Sequence, residues 1–153
     1  MIKKIPKETN TFHFHNENPK GKRTGDCTLR AIAAATGKSW DEVLDGVCEI
    51  AHKFKLMPDD DKCYGRYLES LGWVKNKQPR KWDNTKYTGA EWCEEITEDY
   101  ERGFSRATIF ADNVIAHIGG HHIVCIKLDK DDKFKVFDTW NSTGGCIGVY
   151  WTK

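Results

Sequence analysis

Gly119-Gly120-His121-His122-Ile123-Val124-Cys125-Ile126-Lys127-Leu128 reads as a turn followed by a strand, because paired glycines punctuate the chain and the run after them is largely β-branched. The pattern recurs on both sides of it. Arg106 to Ala111, Lys133 to Thr139 and Cys146 to Trp151 are short runs rich in Ile, Val, Phe, Tyr and Trp. The turns between these four runs are Gly119-Gly120, the charged tip Asp129-Lys130-Asp131-Asp132 and Ser142-Thr143-Gly144-Gly145. From Ser105 onward the chain therefore reads as an antiparallel meander.

Upstream the period is helical. Residues 27–36 follow Asp26 as N-cap and stop before Gly37, with Leu29, Ile32, Ala33 and Ala35 as their apolar contacts. Ser39-Trp40-Asp41-Glu42 has the spacing of a capping box, and it opens a helix carrying Val43, Leu44, Val47, Ile50, Ala51 and Phe54 at helical intervals. A third helix is predicted over 59–71, and a short fourth over 89–100. Between them, Lys75 to Thr85 reads as a surface loop. Helices first and strands afterwards is the pattern of an α+β domain with segregated layers.

The chain of 153 residues is expected to be one domain. Residues 1–23 form an N-terminal arm, 24–104 a helical part and 105–153 a β-sheet part. Within the arm, Phe12-His13-Phe14-His15 is a short strand or a piece packed over the core. Lys and Arg total 24 against 23 Asp and Glu, so no global field recruits nucleic acid or an anionic membrane. No apolar run of signal-peptide length follows Met1 to Lys7, and nothing approaches a membrane span, which predicts a cytoplasmic protein. In that compartment the six cysteines stay reduced, five as small apolar residues and one as chemistry. No Cys-x-x-Cys motif or carboxylate stands beside His13, His15, His121 and His122, so neither a metal nor a cofactor is expected.

The reactive cysteine is Cys27. In Thr24-Gly25-Asp26-Cys27-Thr28-Leu29-Arg30 it occupies the first turn of a helix, where free N–H groups and the helix dipole favour thiolate. A thiol nucleophile needs a base and a group that orients the base. If the Asp129–Asp132 turn joins two strands as a hairpin, a histidine at the start of the first meets Asp138 at the end of the second. His121 and His122 point to opposite faces, so only one of them can look toward Cys27.

Gly25-Asp26-Cys27 opening a helix, a histidine opening a later strand, and an aspartate sixteen positions beyond His122 together resemble the papain-like cysteine peptidase superfamily. The likeness is nearest to its bacteriocin-processing, C39-like branch, through the Asp26-Cys27 pair that opens the helix, and to small papain-like proteins of phages and bacteria, through residues 26–43 and Phe137-Asp138-Thr139-Trp140. A fainter likeness runs to the ovarian-tumour deubiquitinases through Cys27-Thr28-Leu29-Arg30-Ala31. The resemblance covers roughly 24–45 and 119–140. It implies a central N-terminal helix packed on a C-terminal antiparallel sheet. It also implies a cysteine peptidase or amide or isopeptide hydrolase acting on a peptide or protein, with Cys27 as nucleophile, His122 as base and Asp138 as orienting acid. His121 is the alternative base. The glutamine that such enzymes place about six residues before the cysteine is Gly21 here, so Thr24, Arg23 and Asn18 become the candidate oxyanion donors beside the Cys27 N–H. The competing expectations are a papain-like binding protein with little or no turnover, and a cysteine-dependent acyltransferase.

Overall fold

The computed structural model describes residues 4–103 and 113–153, and the strand expected over Arg106 to Ala111 lies outside them. The described elements run β1 (Phe12–Phe14), α1 (Cys27–Thr36), α2 (Trp40–Phe54), α3 (Asp61–Ser70), β2 (Val74–Asn76), α4 (Gly89–Glu101), β3 (Asn113–Ile118), β4 (His122–Leu128), β5 (Phe134–Asp138) and β6 (Ile147–Thr152). The chain is α+β, as its change of period predicts.

Local chemistry sets the helix ends. Gly37 turns left-handed at φ 74° and returns its N–H to Ala33, which stops α1. The Ser39/Glu42 capping box is formed, and Thr88 with Glu91 builds a second one at the start of α4. Asp26 departs from its expected role. It stands at the N-cap position of α1, but its side chain makes no capping bond.

The sheet is mixed, not purely antiparallel, in the order β1-β5-β4-β3-β6-β2. β1 lies parallel to β5, anchored by Val136 N–H to the Thr11 carbonyl at 2.8 Å and His15 N–H to the Asp138 carbonyl at 2.9 Å. At the other edge β2 pairs antiparallel with β6, inside the stretch expected to be loop. Both edge strands are only three residues long, too short for a readable period, and an edge tolerates the exposed Lys75 that a central strand would not. The sheet thus draws strands from the arm and from the helical part as well as from the C-terminal third. β3 was also not among the expected strands.

Helices cover both faces, so the layers are not segregated to one side. On one face α1, α2 and α3 pack over Ile115, Ile123, Cys125 and Trp151. On the other, Trp92, Cys93 and Ile96 of α4 meet Val114, Val124, Ile126, Val136 and Tyr150. The alternation along β3 and β4 feeds the two clusters in turn, as a two-sided strand must. Among the described residues no helix is long and apolar enough to cross a membrane.

Candidate active site

The mouth of α1 meets the start of β4 and the end of β5. The half-buried Cys27 thiol interacts with the His122 side chain and with the backbone at Ile123. His122 Nε2 lies 2.6 Å from Asp138 Oδ2, so Nδ1 is the ring nitrogen that remains for the thiol. The β4–β5 register explains the second contact. Cys125 stands opposite Phe137, so His122 and Asp138 are diagonal neighbours of matching parity, within reach of two polar side chains. His121, with the opposite parity, is exposed and does not join the pair.

Asp138 is 2% exposed and its carboxylate is fully used. Oδ2 accepts from His122 and from the Ser142 hydroxyl at 2.9 Å. Oδ1 accepts from the Thr139 N–H at 2.7 Å and from Arg30 Nη1 at 2.9 Å. The Arg30 guanidinium also donates through Nε to Asp26 Oδ1 at 2.7 Å. Asp26 Oδ2 in turn accepts from Trp40 Nε1 at 2.9 Å and from the Asn18 amide at 3.1 Å. Those bonds are why Asp26 does not cap the helix. Arg30, Trp40 and Ser142 were not singled out from the sequence. Asp26-x-x-x-Arg30 has helical ion-pair spacing and could have flagged the arginine.

The electrostatics follow from these contacts. Burial alone raises the Cys27 thiol, yet the hydrogen bonds from His122 and Ile123, with the charges of His122 and Arg30, hold it below the ordinary thiol value. Burial opposes a charge on His122, but Asp138 and Cys27 outweigh it and push the imidazole up to about 9. Asp138 also resists its burial, held below the usual carboxylate range by His122, Arg30 and the Thr139 N–H. The arrangement favours a thiolate beside an imidazolium.

Other cysteines differ. Cys63, Cys93 and Cys125 are buried, and burial raises all three, Cys125 to about 12. Cys48 and Cys146 are exposed, which corrects the expectation that all five are core residues.

The oxyanion candidates are placed as follows. Asn18 gives its amide to Asp26, and the Arg23 guanidinium stacks 5.3 Å from the Phe14 ring centroid. Thr24 is exposed, and its carbonyl accepts the Asp26 N–H at 2.8 Å. The first helical bond of α1 runs from Arg30 N–H to the Asp26 carbonyl at 3.0 Å. The amides of Cys27, Thr28 and Leu29 precede it and have no carbonyl one turn back inside the helix. A carbonyl seated on Cys27 would find its N–H donors there.

Two cavities border the turn into β4. One of about 690 Å³ is lined by His121, His117, Tyr64 and Asp61, among others, and the Tyr64 hydroxyl lies 2.6 Å from His117 Nε2. The other, about 270 Å³, is lined by His122, Trp140, Gly119 and Gly145, among others. The Trp140 ring lies 5.0 Å from the His122 ring, centroid to centroid, and covers it from solvent. Trp82, in the loop after β2, is 98% exposed. His13 and His15 pair with Glu8 and Glu17 and flank Phe137. Among the described residues no group of three or more His, Cys, Asp or Glu is arranged to hold a metal. No family model, curated protein or solved structure matches the chain.

Proposed function

We propose that this chain is a papain-like thiol hydrolase that cleaves an amide or isopeptide bond through a Cys27–His122–Asp138 triad. The observation that carries this reading is the 2.6 Å hydrogen bond between His122 and the buried Asp138 carboxylate, made by the same imidazole that holds the Cys27 thiol below its ordinary value. In the reaction, the Cys27 thiolate adds to the substrate carbonyl carbon and the oxygen becomes an oxyanion facing the open N–H groups of α1. The C–N bond then breaks, and the His122 imidazolium gives its proton to the departing amine. The acyl group is now a thioester on Cys27. Neutral His122 takes a proton from water, the resulting hydroxide displaces the thiolate, and the carboxylic acid leaves. An amine in place of water gives the acyltransferase outcome. Asp138 holds the ring in the tautomer that leaves Nδ1 toward sulfur, and it stabilises the imidazolium.

A second reading has its own support. The Asn18 amide is committed to Asp26, so Asn18 does not stand in for the glutamine of papain-like enzymes, and loss of one oxyanion donor typically costs about 100-fold or more in rate. A papain-like binding protein with little or no turnover fits that observation.

p-Nitrophenyl acetate separates these readings. Attack by Cys27 releases p-nitrophenolate and leaves an acetyl thioester visible by intact mass. A burst followed by steady release, both abolished in Cys27→Ala, is the hydrolase result. A burst without turnover, or no burst from a Cys27 that iodoacetamide labels faster than Cys48 and Cys146, is the binding-protein result. No burst, with Cys27 alkylated by iodoacetamide no faster than the exposed Cys48 and Cys146, overturns both.

A further inference from the structure

We propose that Arg30 is a positioning residue that sets the charge balance of the Cys27–His122 pair, with Asp26 as its counterweight. The inference rests on the hydrolase reading above and assigns a second tier of residues to the same site.

The geometry is specific to arginine. Arg30 and Asp138 are 108 positions apart in sequence, and a single buried guanidinium spans from the mouth of α1 to the end of β5. Its Nε reaches Asp26 at 2.7 Å and its Nη1 reaches Asp138 at 2.9 Å, so one rigid plane fixes the two carboxylates relative to each other. A lysine ammonium is a point charge and lacks that planar fork. The Asp138 oxygen that Arg30 takes is not the one that binds His122, so the guanidinium orients the carboxylate without competing for the imidazole.

The charges act in opposite senses. The groups facing this cluster are Asp26 and Cys27 at the mouth of α1, Arg30 one turn on, His122 from β4, Asp138 from β5 and Tyr64 from α3. Burial raises Tyr64 above its ordinary value and keeps it neutral. The positive charge of Arg30 favours the Cys27 thiolate and opposes the His122 imidazolium. Asp26 cancels part of that charge, and Trp40 and Asn18 hold it in place to do so. Removing either charge therefore moves the Cys27 and His122 titrations together, in one direction for Arg30 and in the other for Asp26.

That difference supplies the test. The full chain is alkylated with iodoacetamide between pH 4 and 11, the Cys27 rate is followed by peptide mass mapping, and folding is checked by circular dichroism. Arg30→Gln is expected to move both limbs of the pH profile to higher pH, by on the order of one unit. Asp26→Asn is expected to move both limbs to lower pH. Arg30→Lys, which keeps the charge and loses the fork, is expected to hold the limbs near wild type with a smaller maximal rate. If Arg30→Gln does not fold, the Asp26→Asn and Arg30→Lys profiles decide. Limbs that stay in place in Asp26→Asn, or move the same way in both charge variants, overturn the inference while a hyper-reactive wild-type Cys27 leaves the hydrolase reading standing. A wild-type Cys27 no faster than Cys48 and Cys146 overturns the two together.

Discussion

His122 Nε2 stands 2.6 Å from Asp138 Oδ2, and that contact leaves one ring nitrogen for Cys27. The thiolate therefore depends on this imidazole more than on the helix mouth, because burial by itself raises the thiol. His122→Gln should return Cys27 to the ordinary thiol range near 8.5 or above and slow its alkylation at pH 7 by about 10- to 100-fold. Labelling rates at pH 7 for the two proteins check this. Equal rates would leave the helix terminus as the source of any activation.

The pH profile of Cys27 labelling should have two limbs. The acid limb reports formation of the thiolate–imidazolium pair and lies below the usual thiol value, because Cys27 is shifted down. The alkaline limb reports loss of the His122 proton and should fall near pH 9. The p-nitrophenyl acetate burst should follow the same two limbs. A single rise centred on the ordinary thiol value, near 8.5, would mean an unpaired thiol.

Asp138 carries four hydrogen bonds, and an amide cannot accept them all. In Asp138→Asn the NH₂ group must face two donors whichever way it flips, and Arg30 loses a buried counter-charge. The expected cost is about 3–5 kcal/mol, measured as the shift in urea midpoint at pH 7. The sign of the pH dependence follows from the lowered values of Asp138 and Asp26. Their contribution is present above the ordinary carboxylate value and is lost as pH falls through the lowered folded values. Wild type should therefore weaken steeply below about pH 4, and Asp138→Asn less steeply.

The parts of this fold that sequence made legible are those with a complete local signal. α2 had both its capping box and its apolar stripe, and Gly37 marked the end of α1. The meeting of a β4-start histidine with Asp138 was legible because a hairpin register is arithmetic. β1 and β2 were not, since three residues cannot show a period and their partners lie far along the chain. Asp26 was read as a cap because capping is the commonest use of an aspartate there. Its real partners, Trp40 and Arg30, are fixed by tertiary packing of α2 and β5 against α1. His121 against His122 was open because the strand carries apolar residues on both faces, and the structure has a helix layer over each.

Trp140 is 51% exposed yet lies against the His122 ring at 5.0 Å. An exposed aromatic contributes little burial, so Trp140→Ala should change the melting temperature only slightly. Its effect belongs to the imidazole, which would gain water on that face and lose part of the screening of its bond to Asp138. Cys27 labelling at pH 7 should slow several-fold while the fold persists. Unchanged labelling would make the ring a surface residue only.

Adjacent glycines beside the site should behave differently. A Cβ on Gly145 would lie 2.9 Å from the Gly119 nitrogen and 3.0 Å from its Cα, and neither backbone atom can swing aside as a side chain does. Gly119 N–H also donates to the Cys146 carbonyl at 2.9 Å, so the β3–β4 turn is pinned against this segment. Gly145→Ala must push that turn away, and His122 begins β4 three residues later. The expected stability loss is about 1–3 kcal/mol. Labelling of Cys27 should fall further than the unfolded fraction explains, because displacing a base by about 1 Å costs up to 100-fold in rate. A Cβ on Gly144 meets nothing within 4 Å, so Gly144→Ala should leave the melting temperature in place. Equal melting shifts for the two variants would show that the turn is not held by this close approach.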